Sequence, residues 1–431
     1  MLDAPKSAAR RLLVERELDA FSQTCQRLLS ARGEANSAAH AAIALRQYGQ
    51  LSEPAQLRFF EHLEEDFGPN PKHVLAAAQH YAATPTAQAL MQLTSAAEPP
   101  RQELLRRLNR APGGTAVIVQ MRRQLLRLLP AHPQLAAVEA DFFHLLSSWF
   151  NPGFLEMQQV DWNSAAQLLE KIIQHEAVHA IDGWDDLRRR LQPDRRCFAF
   201  FHPQLPGEPL IFVEVALVPT MPDAIAPLLA KTTPPAGPKA YKVATFYSIS
   251  NCQPGLRGVS LGNFLIKRVA ERLCLEFPSI RTFCTLSPMP GFVRWLNEVD
   301  VCAPDLKAVQ KKLRAARATL DLDSVRTKQS AAFWKPETAL SEESAAWLAL
   351  ASIYLRVVSS TAAGDAVAKF HLGNGARLQR INWAADLSPN GVRQSRGMMV
   401  NYLYDLSKVE EYHERFLEGH VVHAQAVARL V

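Results

Sequence analysis

Along residues 1 to about 148, apolar side chains return every three or four positions, and almost no β-branched run interrupts them. Eight segments carry this spacing: Ala8–Leu29, Ala38–Tyr48, Glu53–Phe67, Pro71–Ala83, Thr86–Ala97, Arg101–Arg110, Gly114–Leu129 and Leu135–Phe150. A period near 3.6 is that of amphipathic helices, and Asn-Pro, Pro-Pro and Pro-Gly-Gly breaks separate them. The texture changes after Trp149-Phe150-Asn151-Pro152-Gly153. One more helix is expected over Ser164–Ile181, then an Asp/Arg-rich connection to Arg196. β-Branched and aromatic residues next gather at Arg196–His202, Leu210–Leu217, Val243–Ile249 and Thr282–Leu286, which read as strands. The Pro-rich Lys231–Lys239 reads as an exposed loop, and residues 303–358 return to helix. Arg377–Trp383 is strand-like, and a terminal helix is expected from about Val400. The fold expectation is therefore α+β: an all-helical N-terminal bundle over residues 1–148, then an α/β domain over 149–431.

Bulk properties narrow the function classes. With 431 residues, 48% apolar and 21% charged, the chain suits two or three globular domains. A net charge of +6 suits an anionic ligand but does not demand nucleic acid or a membrane. Arg101, Arg106, Arg107, Arg110, Arg122, Arg123 and Arg127 lie among leucines at helical spacing with no interleaved aromatics. That pattern reads as a solvated helix face, so no nucleic-acid partner is expected. Cys25, Cys197, Cys252, Cys274, Cys284 and Cys302 form no CxxC pair, which favours reduced thiols. No apolar run approaches the ~18 residues of a membrane span. The first residues, MLDAPKSAARRLLVERELDAF, lack the apolar core of a secretory signal. A cytoplasmic location without membrane partners is expected.

Two stretches carry candidate chemistry. In Tyr241–Glu276 a strand meets Pro254, Gly255 and Gly258, and a helical pattern follows with Leu261, Leu265, Val269 and Leu273 four apart. Backbone N–H groups at such a turn form an anion seat, although a plain strand–turn–helix connection has the same look. Residues 175–179 read His-Glu-Ala-Val-His, on a segment expected to be helical. On a helix, His residues at i and i+4 face one way and bind zinc with the Glu as base. A catalytic zinc needs a third protein ligand, and no HxxGxxH follows, so a structural junction is the preferred reading and no metal is expected.

Four further segments act together. They are His202-Pro-Gln-Leu-Pro-Gly-Glu-Pro-Leu210, Ala244-Thr-Phe-Tyr-Ser-Ile-Ser250, and Thr285-Leu-Ser-Pro-Met-Pro-Gly-Phe292 with Arg294-Trp295. The fourth is Phe370-His-Leu-Gly-Asn-Gly-Ala-Arg-Leu-Gln-Arg-Ile-Asn-Trp383, followed by Asn401-Tyr402. With these the chain resembles the malonyl-CoA decarboxylase family over most of residues 140–431, the helical region fitting more loosely. The resemblance implies a helical oligomerisation domain and a catalytic acyl-CoA-binding domain related to the N-acetyltransferase fold. It implies malonyl-CoA as partner, with its handle on Arg257, Gly258, Val259, Ser260, Leu261, Gly262 and Asn263. Ser260 stands where the acetyltransferase pattern has Gly. The two catalytic positions fall on Ser287 and His371, which also bind the substrate. Asn374, Tyr402 and Arg380 are candidates for positioning, and Arg257, Lys267 and Arg268 for phosphate contact. Self-association as a tetramer or dimer is implied by resemblance alone.

The implied reaction takes malonyl-CoA to acetyl-CoA and CO2 through a thioester enolate protonated by a His. No cofactor is expected, because the thioester is itself the electron sink. Ser287 is expected at the end of a strand, with Pro290-Gly291 forcing a turn that exposes its hydroxyl; a helix N-cap is the structural alternative. His371, with an ordinary pKa of about 6.5, is expected to carry a proton near neutrality. The resemblance implies a Glu-Ala-Val-His junction at 176–179 that does not need the first His, which weakens the zinc reading further. An acyl-CoA-dependent N-acyltransferase on the same fold is the rival class.

Overall fold

A computed structural model describes residues 4–30, 36–231, 234–235, 237–259, 261, 265–300, 302–320 and 341–431. Packing divides the chain into two compact units. The first is Met1–Glu156 with Phe201–Leu210 and Gln253–Leu261; the second is Met157–Phe200, Ile211–Cys252 and Gly262–Val431.

Among the described residues the first unit contains eight α-helices: α1 (Ala4–Leu29), α2 (Ser37–Gln50), α3 (Glu53–Glu65), α4 (Pro71–Ala83), α5 (Ala87–Ala97), α6 (Pro100–Leu108), α7 (Gly114–Leu128) and α8 (Ala136–Trp149). Their apolar stripes meet in a core that includes Phe21, Phe60, Leu63, Leu104, Leu108, Ile118 and Phe142. Phe21 packs edge-on against Phe59 with ring centres 4.8 Å apart. α4 and α5 differ from the rest: α4 buries no residue and α5 only Ala89, while Leu75, Leu90 and Met91 stand exposed.

The arginines expected on a solvated face behave differently at two positions. Arg101 is buried against Asp141 and donates to the Leu63 carbonyl at 3.2 Å. Arg122 is buried too; it pairs with Glu139 at 2.7 Å and donates to the Gly255 carbonyl at 2.8 Å. A long stem with a five-donor head can cross a helix interface and tie down loops. The Gly255 turn packs so closely on α7 that a Cβ there would lie 2.0 Å from the Val119 carbonyl oxygen. The imidazole of His202 stacks near Phe150 with centres 4.9 Å apart. These contacts draw the 201–210 and 253–261 segments into the helical unit, whereas a division at 148/149 assigns them to the other.

The second unit is built on one mixed sheet, ordered β1-β2-β3-β4-β5-β7-β6. Its strands are β1 (Glu156–Val160), β2 (Arg195–Phe201), β3 (Ile211–Val218), β4 (Val243–Asn251), β5 (Thr282–Thr285), β6 (Arg377–Asn382) and β7 (Met399–Tyr404). β2/β3, β3/β4, β5/β7 and β6/β7 are antiparallel, and β4/β5 is parallel. The α+β expectation holds, with helices in the first unit and the sheet in the second.

Three local expectations fail for physical reasons. The helix expected from Val400 is instead strand β7, and the following helix is Val409–Leu417. Met399, Val400, Asn401 and Tyr402 are all buried, so no polar alternation marks the strand. β1 went unrecognised because its Glu-Met-Gln-Gln-Val sequence is mostly exposed and lacks strand character. The helix expected over Ser164–Ile181 is only Ala166–His175. It stops because the Glu176 carboxylate accepts the Val178 and His179 N–H groups at 2.8 Å each, and so competes with helical pairing.

Candidate active site

β4 and β5 pair only from Val243 to Phe246. β4 then continues to Asn251, while the chain beyond β5 bends across to β7, where Ser287 exchanges two backbone hydrogen bonds with Val400 (2.9 and 2.8 Å). On its other side β4 carries a bulge against β3: Glu214 faces Ser248 but Val215 faces Phe246, so Tyr247 is the extra residue. The opening is a cavity of about 430 Å³. β4 residues 246–249, Ser287, Pro288, Val367, Phe370 and His371 line it, with Val178 closing one side.

His371 stands near the C-terminal end of the helix Ala366–Gly373. Its Nε2 lies 3.0 Å from Ser287 Oγ, and its Nδ1 lies 2.9 Å from the Tyr404 hydroxyl. The Tyr402 ring stacks on the imidazole with centres 4.8 Å apart and planes 28° apart. Ser287 Oγ donates to Thr285 Oγ1 at 3.0 Å, and that oxygen also accepts the Tyr402 N–H at 3.2 Å. A helix C-terminus ordinarily favours a protonated imidazole. Here burial wins and pushes the His371 pKa down to about 3. The expectation of an imidazole charged near pH 7 therefore does not describe the resting site.

The structure thus brings Ser287 and His371 together. The Ser287 side chain is buried and lines the cavity, where a turn with an exposed hydroxyl was expected. It caps no helix; Gly291 holds the N-cap position of Phe292–Glu298. Tyr402 also joins the pair. Asn374 does not: it ends the helix, its Nδ2 donating to the Phe370 carbonyl at 2.6 Å. Arg380 is occupied elsewhere, donating to Asn401 Oδ1 (3.0 Å) and to the Met221 and Pro222 carbonyls (3.1 and 2.9 Å). Asn401 in turn donates to the Thr285 carbonyl at 2.8 Å, so Arg380 supports the end of β5 from a distance.

Tyr404 and Thr285 were missed from the sequence. In a strand, residues two apart face the same way, so reading β7 correctly would have put Tyr404 beside Tyr402 on the His371 side.

Of the candidate coenzyme A segment, Arg257, Gly258, Val259 and Leu261 are described, and Ser260, Gly262 and Asn263 lie outside the described residues. Gly258 has φ +84°, a conformation that suits glycine. The Leu256, Arg257 and Val259 N–H groups already bond to carbonyls within the turn. Arg257 is exposed, Lys267 pairs with Glu410 at 3.2 Å, and Arg268 lies over the Phe200 ring at 5.5 Å.

The His-Glu-Ala-Val-His motif loses its helix. Its first His ends the helix Ala166–His175, and the rest runs on in irregular backbone. Glu176 accepts the Ser248 hydroxyl at 2.7 Å and the Ser250 hydroxyl at 3.2 Å. The carboxylate thus pins this segment to β4. Among the described residues, no three His, Cys, Asp or Glu side chains gather as a metal shell.

A family model for the malonyl-CoA decarboxylase C-terminal domain matches residues 153–431, and one for the N-terminal domain matches residues 67–150. Among curated proteins, the mitochondrial malonyl-CoA decarboxylase of Rattus norvegicus is 34% identical over 392 residues, covering 84% of this chain and 78% of that protein. The mitochondrial malonyl-CoA decarboxylase of Anser anser anser is 37% identical over 324 residues, 72% of this chain and 64% of that protein. Among solved structures, malonyl-CoA decarboxylase from Rhodopseudomonas palustris is 45% identical with a TM-score of 0.82, covering 96% of this chain and 99% of that one. The Agrobacterium vitis enzyme is 43% identical with a TM-score of 0.81, covering 95% and 99%.

Proposed function

The chain belongs to the malonyl-CoA decarboxylase family, an enzyme family of carboxy-lyases, and we propose that it converts malonyl-CoA to acetyl-CoA and CO2 at Ser287 and His371. The observation that carries this reading is the 3.0 Å contact between Ser287 Oγ and His371 Nε2 on the wall of a largely apolar cavity.

The malonyl carboxylate would lose water on entering that cavity, which favours its departure as neutral CO2. The C–C bond breaks, and its electron pair passes to the thioester carbonyl as an enolate. Because the thioester takes up that pair, the reading needs no metal, biotin or other cofactor. Each preorganised donor at the enolate oxygen is worth about 3 kcal/mol.

Ser287 donates to Thr285, so Nε2 carries the imidazole proton towards Ser287 and Nδ1 accepts from Tyr404. The substrate carboxylate beside this neutral ring raises its proton affinity. One proton is then taken up from solvent and delivered from Nε2, directly or through Ser287 Oγ, to the enolate carbon. That proton balances the conversion of the carboxylate to CO2.

The turn Arg257–Asn263 is proposed to hold the coenzyme A pyrophosphate through its backbone. Gly258 supports this: its N–H has no acceptor within the protein among the described residues. The reading extends to a cytoplasmic homo-oligomer, a tetramer or dimer. The exposed Leu75, Leu90 and Met91 on α4 and α5 support self-association, and no cysteine is in a disulfide, which suits a reducing compartment. Among the described residues, no helix is long and apolar enough to cross a membrane, and the reading requires neither a membrane nor nucleic acid.

Purified protein given malonyl-CoA, with and without EDTA, should produce acetyl-CoA at the same rate. Ser287→Ala and His371→Ala should each lower turnover by roughly 10²–10⁴-fold. A His371→Ala enzyme retaining more than about a tenth of the rate would remove the proton-delivery role. Absence of turnover in the unmodified protein would remove the decarboxylase reading altogether.

A further inference from the structure

One carboxylate outside the Ser287–His371 pair touches both segments that carry it. Asp365 is 1% exposed. Its Oδ1 accepts the N–H groups of Val367 (2.9 Å) and Ala368 (3.1 Å), capping the helix on which His371 stands. Its Oδ2 accepts the Gly291 N–H at 2.7 Å and the Tyr354 hydroxyl at 3.5 Å. Gly291 lies four residues beyond Ser287, in the turn that leads into the helix Phe292–Glu298. A Cβ at residue 291 would lie 2.4 Å from the Tyr354 hydroxyl and 3.1 Å from Asp365 Oδ2, so this approach of backbone to carboxylate needs glycine.

We propose that Asp365 is a positioning residue: it bridges the Gly291 end of the Ser287 turn to the first turn of the His371 helix, and so sets the 3.0 Å spacing of Ser287 Oγ and His371 Nε2. The inference rests on the reading of those two residues as the reacting pair.

Capping alone does not account for a carboxylate here. Ser341 and Ser388 each cap a helix of this chain with one hydroxyl oxygen, at 3.1 Å in both cases. A buried carboxylate is a costlier group than a hydroxyl, and burial raises the Asp365 pKa. What it adds is a second oxygen, and that oxygen is spent on Gly291. Nor does its charge act on the imidazole, whose pKa is lowered by burial alone. The link is geometric: one rigid planar group joins two backbones that are 74 residues apart in sequence.

Asp365→Asn and Asp365→Ser both retain an oxygen able to cap the helix, and neither offers a second acceptor to the Gly291 N–H. In each, kcat for malonyl-CoA should fall by roughly 10- to 100-fold while KM stays within about twofold, since ångström-scale misplacement of reacting groups carries losses of that order. On a Ser287→Ala background the same substitutions should change kcat by less than about twofold, because the pair they align is already gone. A folding defect would lower kcat alike in both backgrounds, and that outcome overturns the proposal. So does a kcat within about twofold of the unmodified enzyme in both Asp365 variants. If Ser287→Ala and His371→Ala themselves retain full turnover, the reading of the pair has failed; if only the Asp365 variants do, the pair stands and this inference alone is lost.

Discussion

The Tyr404 hydroxyl holds Nδ1 of His371 at 2.9 Å, while Ser287 Oγ holds Nε2 at 3.0 Å. Both ring nitrogens are thus engaged in a site where burial keeps the imidazole neutral. With each nitrogen partnered, the ring is held in one orientation.

Tyr404→Phe should therefore impair chemistry more than binding. It removes the Nδ1 partner and leaves a buried, unpaired ring nitrogen, which costs about 1–3 kcal/mol of stability. We expect kcat to fall roughly tenfold, towards the low end of a general-acid effect, with KM for malonyl-CoA within about twofold. Steady-state kinetics of the variant decide the matter; an unchanged kcat would mean the tautomer needs no help from Tyr404.

Burial of His371 also makes the fold sensitive to acid. Its folded-state pKa of about 3 lies below the ordinary value of 6.5. Between those values the unfolded chain binds the extra proton, so stability rises with pH through that window and is complete above it. Two pH units below the unfolded value, the loss from this group is roughly 2.7 kcal/mol. Urea midpoints measured from pH 7 downwards should fall less steeply for His371→Gln than for the unmodified protein. Parallel slopes would show that other groups govern acid unfolding.

Arg190 joins the irregular segment after Glu176 to the sheet. It pairs with Glu214 at 2.8 Å and Asp186 at 3.1 Å, and donates to the His179 carbonyl at 2.8 Å, with all three side chains buried. Arg190→Met should cost roughly 1–3 kcal/mol, because it leaves the His179 carbonyl and the buried Glu214 carboxyl, whose pKa burial raises to about 8, without their donor. Adding Glu214→Gln should recover part of that loss. Equilibrium unfolding of the single and double variants tests this, and full additivity would argue against a coupled pair.

Much of this protein is decided locally. The eight N-terminal helices were legible because each has an apolar stripe at helical spacing and breaks of Pro, Gly or Asn between them. β2, β3, β4 and β5 were legible from their β-branched and aromatic runs, and the segment of β6 read as strand-like. The Thr285–Phe292 and Phe370–Trp383 segments named Ser287 and His371 through resemblance to a family, since neither residue announces a catalytic role by itself. Tertiary structure decided the rest. β7 is buried on both faces and carries no alternation, so its identity as a strand, and with it the role of Tyr404, emerges only from pairing with β5 and β6. The Glu176 junction turned on a carboxylate reaching serines more than 70 residues away in the chain. The protonation state of His371 depends on what surrounds the ring in space. Sequence spacing holds no record of burial, and burial moves that pKa from 6.5 to about 3.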